Sequence, residues 1–357
     1  MLIKRILTTL IIAATLTAVG QSTKKVLFIG NSYTYVNDLP GTLRTLALGC
    51  GDTLNYEQST PGGSTFQSHL SNNNTTSLIS QGGWDQIVLQ EQSQLPAFPI
   101  SDVQNLCFPY AQQLCNLIRI NNPNSEIVFY MTWGRKNGDA SNCANYAPLC
   151  TYEGMDSLIY ERYMIMAETN QAAVSPVGRV WHALRENHPE IELYSSDESH
   201  PSIAGTYAAA VTFYTILFRK SPSCITNNLT LNAATAQSIR ETVEEIVFDQ
   251  LDFWYHYSPF PPEQHDAIQS TRPTAQLRVY PTPARGMLHI ELPTDNDSHI
   301  ITIHNAIGKQ VYRSQTSVKG EIAIPVSKLP SGIYIIECKT ENSNTKVISH
   351  RAKVVVE

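Results

Sequence analysis

The chain is 357 residues long, enough for two domains, and carries 25 basic against 31 acidic residues for a net charge of -6. With no basic run in that balance, nucleic acid is excluded as an expected partner, because neutralising phosphates needs clustered Lys and Arg. Its seven cysteines fall in no zinc-ligand spacing, so no metal is expected.

In chain order, residues 1–20 read as a secretory signal. Lys4-Arg5 form its basic start, 6–17 its apolar stretch and Ala18-Val19-Gly20 a small-residue cleavage site, which leaves Gln21 first after processing. No later apolar run reaches the roughly 18 residues that cross a bilayer. The processed chain is therefore expected to be soluble, with no integral membrane span.

Val26-Leu27-Phe28-Ile29 is continuously apolar, as a strand covered on both faces should be, and Gly30 ends it. Ser32 then falls in a turn at the strand's C-terminal end, ahead of a helix-like stretch entered after Asp38 and Pro40. Backbone N–H groups there are free to face a developing oxyanion. An Asn-Ser pair also suits an ordinary polar turn, so Ser32 alone is as good a turn residue as a nucleophile.

Beta-like segments at 26–30, 54–58, 86–91, 127–131 and 191–195 alternate with helical stretches near 39–49, 101–121, 152–171, 202–219 and 233–255. Such alternation predicts an α/β domain, a parallel sheet between two helical layers. Cys143 and Cys150 bracket a loop-like stretch and are candidate disulfide partners in an oxidising compartment. Cys107 and Cys115, within one expected helix, would sit about 12 Å apart, too far to bond. Cys50, Cys224 and Cys338 read as structural.

Asp197-Glu198-Ser199-His200-Pro201 directly precedes the helical stretch from 202. A carboxylate three residues from an imidazole can fix its tautomer, and the neutral imidazole can accept a serine proton. The competing reading makes Asp197 a helix cap and His200 a surface residue. With Ser32, however, the pair completes the three parts of an acyl-transfer triad.

The texture changes at Ser258-Pro259-Phe260-Pro261-Pro262, which opens a proline-rich linker over 258–274. Beyond it come only short alternating segments: 287–292, 299–304, 311–313, 321–325, 333–339 and 346–350. They predict a small antiparallel β-sandwich over 275–357.

Four blocks together resemble those of the SGNH (GDSL-type) hydrolases, in order and spacing, over roughly residues 24–257. They are Gly30-Asn31-Ser32, Gly62-Gly63-Ser64-Thr65, Gln90-Glu91-Gln92-Ser93 and Asp197-x-x-His200. The resemblance implies a flavodoxin-like three-layer α/β/α fold with no cofactor, Ser32 as nucleophile, His200 as general base and Asp197 orienting it. It also implies an oxyanion hole made of the Ser32 and Gly63 backbone N–H groups and a side-chain amide from the third block. There the family has Gly-x-Asn-Asp, and here Gln92 takes the asparagine's place, one methylene longer, with Gln90 as competitor. Glu91 is expected to point away. Asn31 stands where many relatives have aspartate and is expected to contact substrate.

Phe28-Ile29-Gly30-Asn31-Ser32-Tyr33-Thr34, Thr132-Trp133-Gly134-Arg135-Lys136-Asn137-Gly138-Asp139 and Ser175-Pro176-Val177-Gly178 resemble an SGNH subgroup of Bacteroidota known mainly as a domain of unknown function. Trp133 follows a strand, at the sheet edge where open α/β sheets bind ligands. It is expected to stack on a sugar ring or acyl chain, with Arg135 or Lys136 gripping a polar group. The alternative is a core Trp133 beside solvated cations.

The tail resembles the type A C-terminal sorting domain of the type IX secretion system. Val279-Tyr280-Pro281-Thr282-Pro283, the stretch 303–311, Leu329-Pro330-Ser331-Gly332-Ile333-Tyr334 and the terminal Lys353-Val354-Val355-Val356-Glu357 carry that likeness. It implies export, the secretion machinery as partner, and delivery outside the cell or to the outer-membrane surface. The whole chain then reads as an exported serine esterase acting through an acyl-enzyme, with O-acetyl groups on carbohydrates as the expected substrate. Two alternatives are a lipid ester or thioester hydrolase, and a glycan-binding protein on a decayed hydrolase scaffold.

Overall fold

The computed structural model describes residues 21–260, 277–292, 298–305, 310–317, 320–341 and 347–356. The expected signal segment and most of the expected linker lie outside them. Five parallel strands, β1 (Thr23–Ile29), β2 (Thr53–Ser59), β3 (Gln86–Leu89), β4 (Glu126–Tyr130) and β5 (Ala173–Ser175), pair in the order β2-β1-β3-β4-β5. That is the flavodoxin-like order. Val26 to Ile29 are wholly buried, as a central strand between helical layers requires.

One layer holds the Leu39–Gly49, Val177–Asn187, Ile203–Phe218 and Ala233–Ile246 helices, and the other the Phe66–Leu70, Asn73–Gln81, Phe108–Asn121 and Tyr152–Thr169 helices. Ile203–Phe218 lies at the centre of its layer, with every residue after Ile203 buried.

The structure corrects three expected elements. The fifth strand is Ala173–Ser175 rather than 191–195, where Tyr194 makes only an isolated bridge to Pro201. Three residues beside a long helix are too few to stand out by pattern, whereas 191–195 is a loop that buries Ile191, Leu193 and Tyr194. The expected 101–121 helix breaks at Cys107 into Ile100–Leu106 and Phe108–Asn121, since Pro109 has no N–H to donate and its ring crowds the preceding turn. Likewise 233–255 divides into Ala233–Ile246, a 3-10 turn at Phe248–Gln250 and Leu251–Trp254.

The two ends of the sheet are built differently. At the N-terminal ends of the strands, wholly buried Asp52 is satisfied by Lys220 Nζ at 2.7 Å, Tyr214 OH at 2.9 Å and Ser22 N–H at 2.8 Å. Buried Glu126 takes Arg219, Gln86 and Ser258. Disulfides join Cys50 to Cys224 and Cys143 to Cys150, while Cys107 and Cys115 are free and buried. The loops carrying the four sequence blocks lie at the other, C-terminal edge.

The tail has two antiparallel sheets. One orders β10 (Glu321–Pro325), β7 (Met287–Glu291) and β6 (Arg278–Tyr280); the other orders β12 (Val347–Val356), β11 (Gly332–Glu341), β8 (Ser298–Asn305) and β9 (Gln310–Thr316). They share a core of their own, including Leu288, Ile290, Ile301, Ile324 and Ile336. Among the described residues, no helix is long and apolar enough to cross a membrane.

Candidate active site

The serine turn begins where β1 runs out. A Cβ at Gly30 would meet Thr34 Oγ1 at 2.5 Å and Gln90 Oε1 at 2.7 Å, so only glycine lets the turn close on Gln90. Asn31 and Gln90 then grip each other. Asn31 N–H donates to Gln90 Oε1 at 2.9 Å, and Gln90 Nε2 donates to Asn31 Oδ1 at 3.0 Å. Asn31 Oδ1 also caps the following helix by accepting from Tyr33 N–H. Ser32 is thereby set as the first residue of the Ser32–Tyr35 helix, where its backbone N–H has no intrahelical acceptor.

The histidine arrives on the loop ahead of the Ile203–Phe218 helix. Asp197 Oδ1 accepts from the Ser199 and His200 N–H groups at 3.0 and 2.9 Å, and Asp197 Oδ2 bonds directly to His200 Nδ1. His200 Nε2 lies 2.8 Å from Ser32 Oγ. Partial burial favours a neutral Asp197, but the hydrogen bonds from His200 and Ser199 outweigh it and hold the carboxyl down at about 2. The loop kinks at Glu198, whose φ of 59° is left-handed. Contacts from outside hold that kink: Lys136 N–H donates to Glu198 O at 2.9 Å and Asn137 Nδ2 to Glu198 Oε2 at 3.0 Å.

An aromatic ladder braces both loops. Tyr33 stacks on Trp133 with centroids 4.7 Å apart, and Trp133 on Trp181 at 3.7 Å. Tyr33 OH lies 2.7 Å from Ser199 Oγ, Trp133 Nε1 donates to Ser199 O at 3.1 Å, and the Tyr33 ring meets His200 edge-on at 5.5 Å. Trp133 is 0% exposed, so its expected stacking on a substrate is corrected: it is core, and it holds the histidine loop. The expected substrate role of Asn31 is corrected too. This side chain is 2% exposed, and its Nδ2 donates to Ser64 O at 2.9 Å, tying the serine turn to the glycine turn. Arg135 is paired with buried Asp139 at 3.3 Å rather than free to grip a ligand.

Gly63 has φ of 72°, a backbone that favours glycine, in a turn closed by Ser64 N–H donating to Pro61 O. Of the two glutamines expected to join it, Gln90 is excluded as an anion donor, because Asn31 Oδ1 and Glu91 O take both its amide hydrogens. Gln92 is held within its own turn but keeps one amide hydrogen free. Its Oε1 accepts from Gln94 and Leu95 N–H at 2.7 and 3.0 Å and its Nε2 donates to Gln94 Oε1 at 3.1 Å, which makes it the staple of its own turn. Glu91 points inward, fully buried. It accepts from Phe66 N–H at 3.0 Å and Gln92 N–H at 2.7 Å, and burial, opposed by those bonds, pushes its carboxyl up to about 8.

Geometrically this edge holds a serine hydroxyl on a neutral-capable imidazole, an oriented carboxylate, and backbone donors at the head of a short helix and at a glycine turn. Sequence reasoning missed Tyr33, Ser199 and Trp181, although Tyr33 and Ser199 stand inside the motifs it used. Their signal was their place beside Ser32 and His200.

Comparison with known proteins gives two findings. Residues 278–356 match the secretion system C-terminal sorting domain. Among solved structures, a DUF4886 family protein from Bacteroides uniformis is similar at TM-score 0.56 and 17% identity, covering 65% of this chain and 96% of its own. A protein from Slackia heliotrinireducens, provisionally described as an SGNH hydrolase, follows at TM-score 0.46 and 24% identity, covering 55% and 99%. An acetyl xylan esterase gives TM-score 0.39 and 15% identity, covering 54% and 98%. No curated protein matches the chain. The N-terminal domain therefore shares the α/β/α fold of the DUF4886 family protein, and the tail matches a sorting domain, which indicates export.

Proposed function

We propose that this chain is an exported serine esterase. The observation that carries the reading is the line from Asp197 through His200 to Ser32 Oγ, 2.8 Å from the imidazole Nε2. Ser32 Oγ attacks the ester carbonyl while His200 Nε2 takes its proton, and Asp197 stabilises the imidazolium. The carbonyl oxygen, now anionic, turns to the Ser32 and Gly63 N–H groups. His200 gives the proton to the departing alcohol, leaving an acyl-Ser32. Water, deprotonated by the same imidazole, then frees the acid and returns Ser32.

With Gln90 excluded, the proposed oxyanion hole is the two backbone donors, with the free amide hydrogen of Gln92 as the remaining side-chain candidate. Loss of one donor typically costs about 10²–10³ in turnover. Because the Gly63 donor needs a left-handed turn, Gly63→Ala is expected to cost activity by displacing that N–H.

A fluorophosphonate probe tests the reading. The native protein should be labelled, and Ser32→Ala and His200→Ala should not. Absence of native labelling, or labelling that survives Ser32→Ala, would overturn the mechanism.

A further inference from the structure

His69, in the Phe66–Leu70 helix, is a wholly buried titratable group that the triad does not use. Its Nε2 lies 2.9 Å from Gly30 O and its Nδ1 2.9 Å from Thr75 Oγ1. A carbonyl oxygen only accepts, so Nε2 carries the proton. Burial lowers the pKa of the imidazole below the ordinary 6.5, against the Gly30 bond, and leaves Nδ1 bare to accept from the Thr75 hydroxyl. Thr75 has then given its one proton, so Ser59 Oγ, 2.8 Å away, donates to it in turn. Because Gly30 N–H donates to Ser59 O at 3.1 Å, this circuit of residues holds both polar groups of the Gly30 backbone.

That circuit bears on the nucleophile. Gly30 stands two residues before Ser32, and the Phe66–Leu70 helix follows directly on the Gly62–Thr65 turn that carries the proposed Gly63 donor. The two backbone donors thus sit on separate segments, whose spacing must hold while charge builds on the carbonyl oxygen. Asn31 Nδ2 to Ser64 O is one tie between them, and a single bond lets the segments pivot. His69 Nε2 to Gly30 O is a second tie on a different pair of residues, which removes the pivot. The helix cannot supply that rigidity from within, because five residues are too few to be stable unaided. Had the position needed only filling, an apolar side chain would have served without two polar partners.

Resting on the esterase reading, we propose that His69 is a positioning residue whose Nε2–H locks the Gly30 carbonyl, and with it the Ser32 turn, to the helix that follows the glycine turn.

Full-length wild type, His69→Gln and His69→Leu separate this role from a purely structural one. Glutamine offers an N–H and an acceptor oxygen at its tip, and leucine offers neither. With active sites counted by fluorophosphonate, kcat on 4-nitrophenyl acetate per labelled site should fall about tenfold in His69→Leu with KM unchanged. That is less than the roughly 10²-fold that a 1 Å misplacement can cost. His69→Gln should recover most of the loss. An unchanged kcat per labelled site in His69→Leu, or a fall that His69→Gln shares in full, overturns the proposal.

Amide hydrogen exchange supplies a readout that needs no catalysis. Thr34 and Tyr35 N–H groups bond to Asn31 O at 2.9 and 3.1 Å within the serine turn. Their exchange should quicken in His69→Leu relative to the amides of β4, and slow again in His69→Gln; a uniform change, or none, overturns the proposal. If His69→Leu does not fold, Thr75→Val, which removes the hydroxyl that fixes the tautomer, is read in the same two ways with a smaller loss expected. Local quickening in a protein whose wild type takes no label would defeat the esterase reading and support the lock, whereas labelled wild type with uniform exchange would do the reverse.

Discussion

Ser199 shows how single side chains set the geometry. It touches neither Ser32 nor the reacting side of His200, yet Tyr33 OH binds its hydroxyl and Trp133 Nε1 its carbonyl. Tyr33→Phe keeps the ring on Trp133 and removes the hydroxyl's contacts, chief among them the 2.7 Å bond to Ser199. With a hydrogen bond worth about 1 kcal/mol, kcat is expected to fall about fivefold with KM unchanged. A KM change with kcat intact would instead assign Tyr33 to substrate contact. Asp197 carries a pH consequence. Its carboxyl is held at about 2, below the ordinary value of 3.8, so its stabilising effect is present above pH 4 and is lost as pH falls toward 2. Because this side chain is 49% exposed, solvent screens the effect and it should be modest. Melting of wild type and Asp197→Asn from pH 2 to 6 checks this: the gap between them should narrow toward pH 2.

At the scale of elements, Glu91 links the start of the Phe66–Leu70 helix to the loop after β3. The shift here runs the other way. With the folded-state carboxyl raised to about 8, its protonated form stabilises fully below the ordinary 4.5, and that contribution falls as pH rises to 8. Glu91→Gln keeps an acceptor without the ionisation, so the variant should melt higher than wild type at pH 8.5 and level with it at pH 4. A constant offset at both pH values would refute the linkage. The Cys50–Cys224 disulfide closes a long loop, with a sequence separation of 174, between the C-terminal ends of two neighbouring helices, Leu39–Gly49 and Ile203–Phe218. Cys50→Ser with Cys224→Ser is expected to cost about 2–5 kcal/mol in denaturant unfolding. Elements were legible where the pattern was long: β1, β2 and β4, and the Tyr152–Thr169 and Ile203–Phe218 helices, fall close to their expected ranges. Where the pattern was short it misled. Ala173–Ser175 offers three residues of signal, and its strand character comes from parallel pairing with β4.

For the molecule as a whole, the N-terminal α/β unit and the sorting unit each bury a separate core. A chain ending at residue 260 is therefore expected to keep the full chain's kcat/KM and fluorophosphonate labelling. Loss of both would show that the catalytic domain needs the tail to fold. Asp52–Lys220 and Glu126–Arg219 lie at the N-terminal ends of the strands, and Asp139–Arg135 braces a loop at the opposite ends.

By itself, the sequence determined the α/β alternation, the change of texture at the tail, and which serine, aspartate and histidine could cooperate. Those properties are local: apolar runs, turn residues and a three-residue Asp-to-His spacing act over a few bonds. Tertiary structure alone decided the fate of the residues between them. Gln90 meets Asn31 across 59 residues, Trp133 meets Ser199 across 66 and Tyr33 meets Ser199 across 166. No local pattern encodes such distances. A buried amide or indole must find a partner or forfeit its hydrogen bond, and which partner it finds depends on the strand order, which brings four loops to one edge of the sheet.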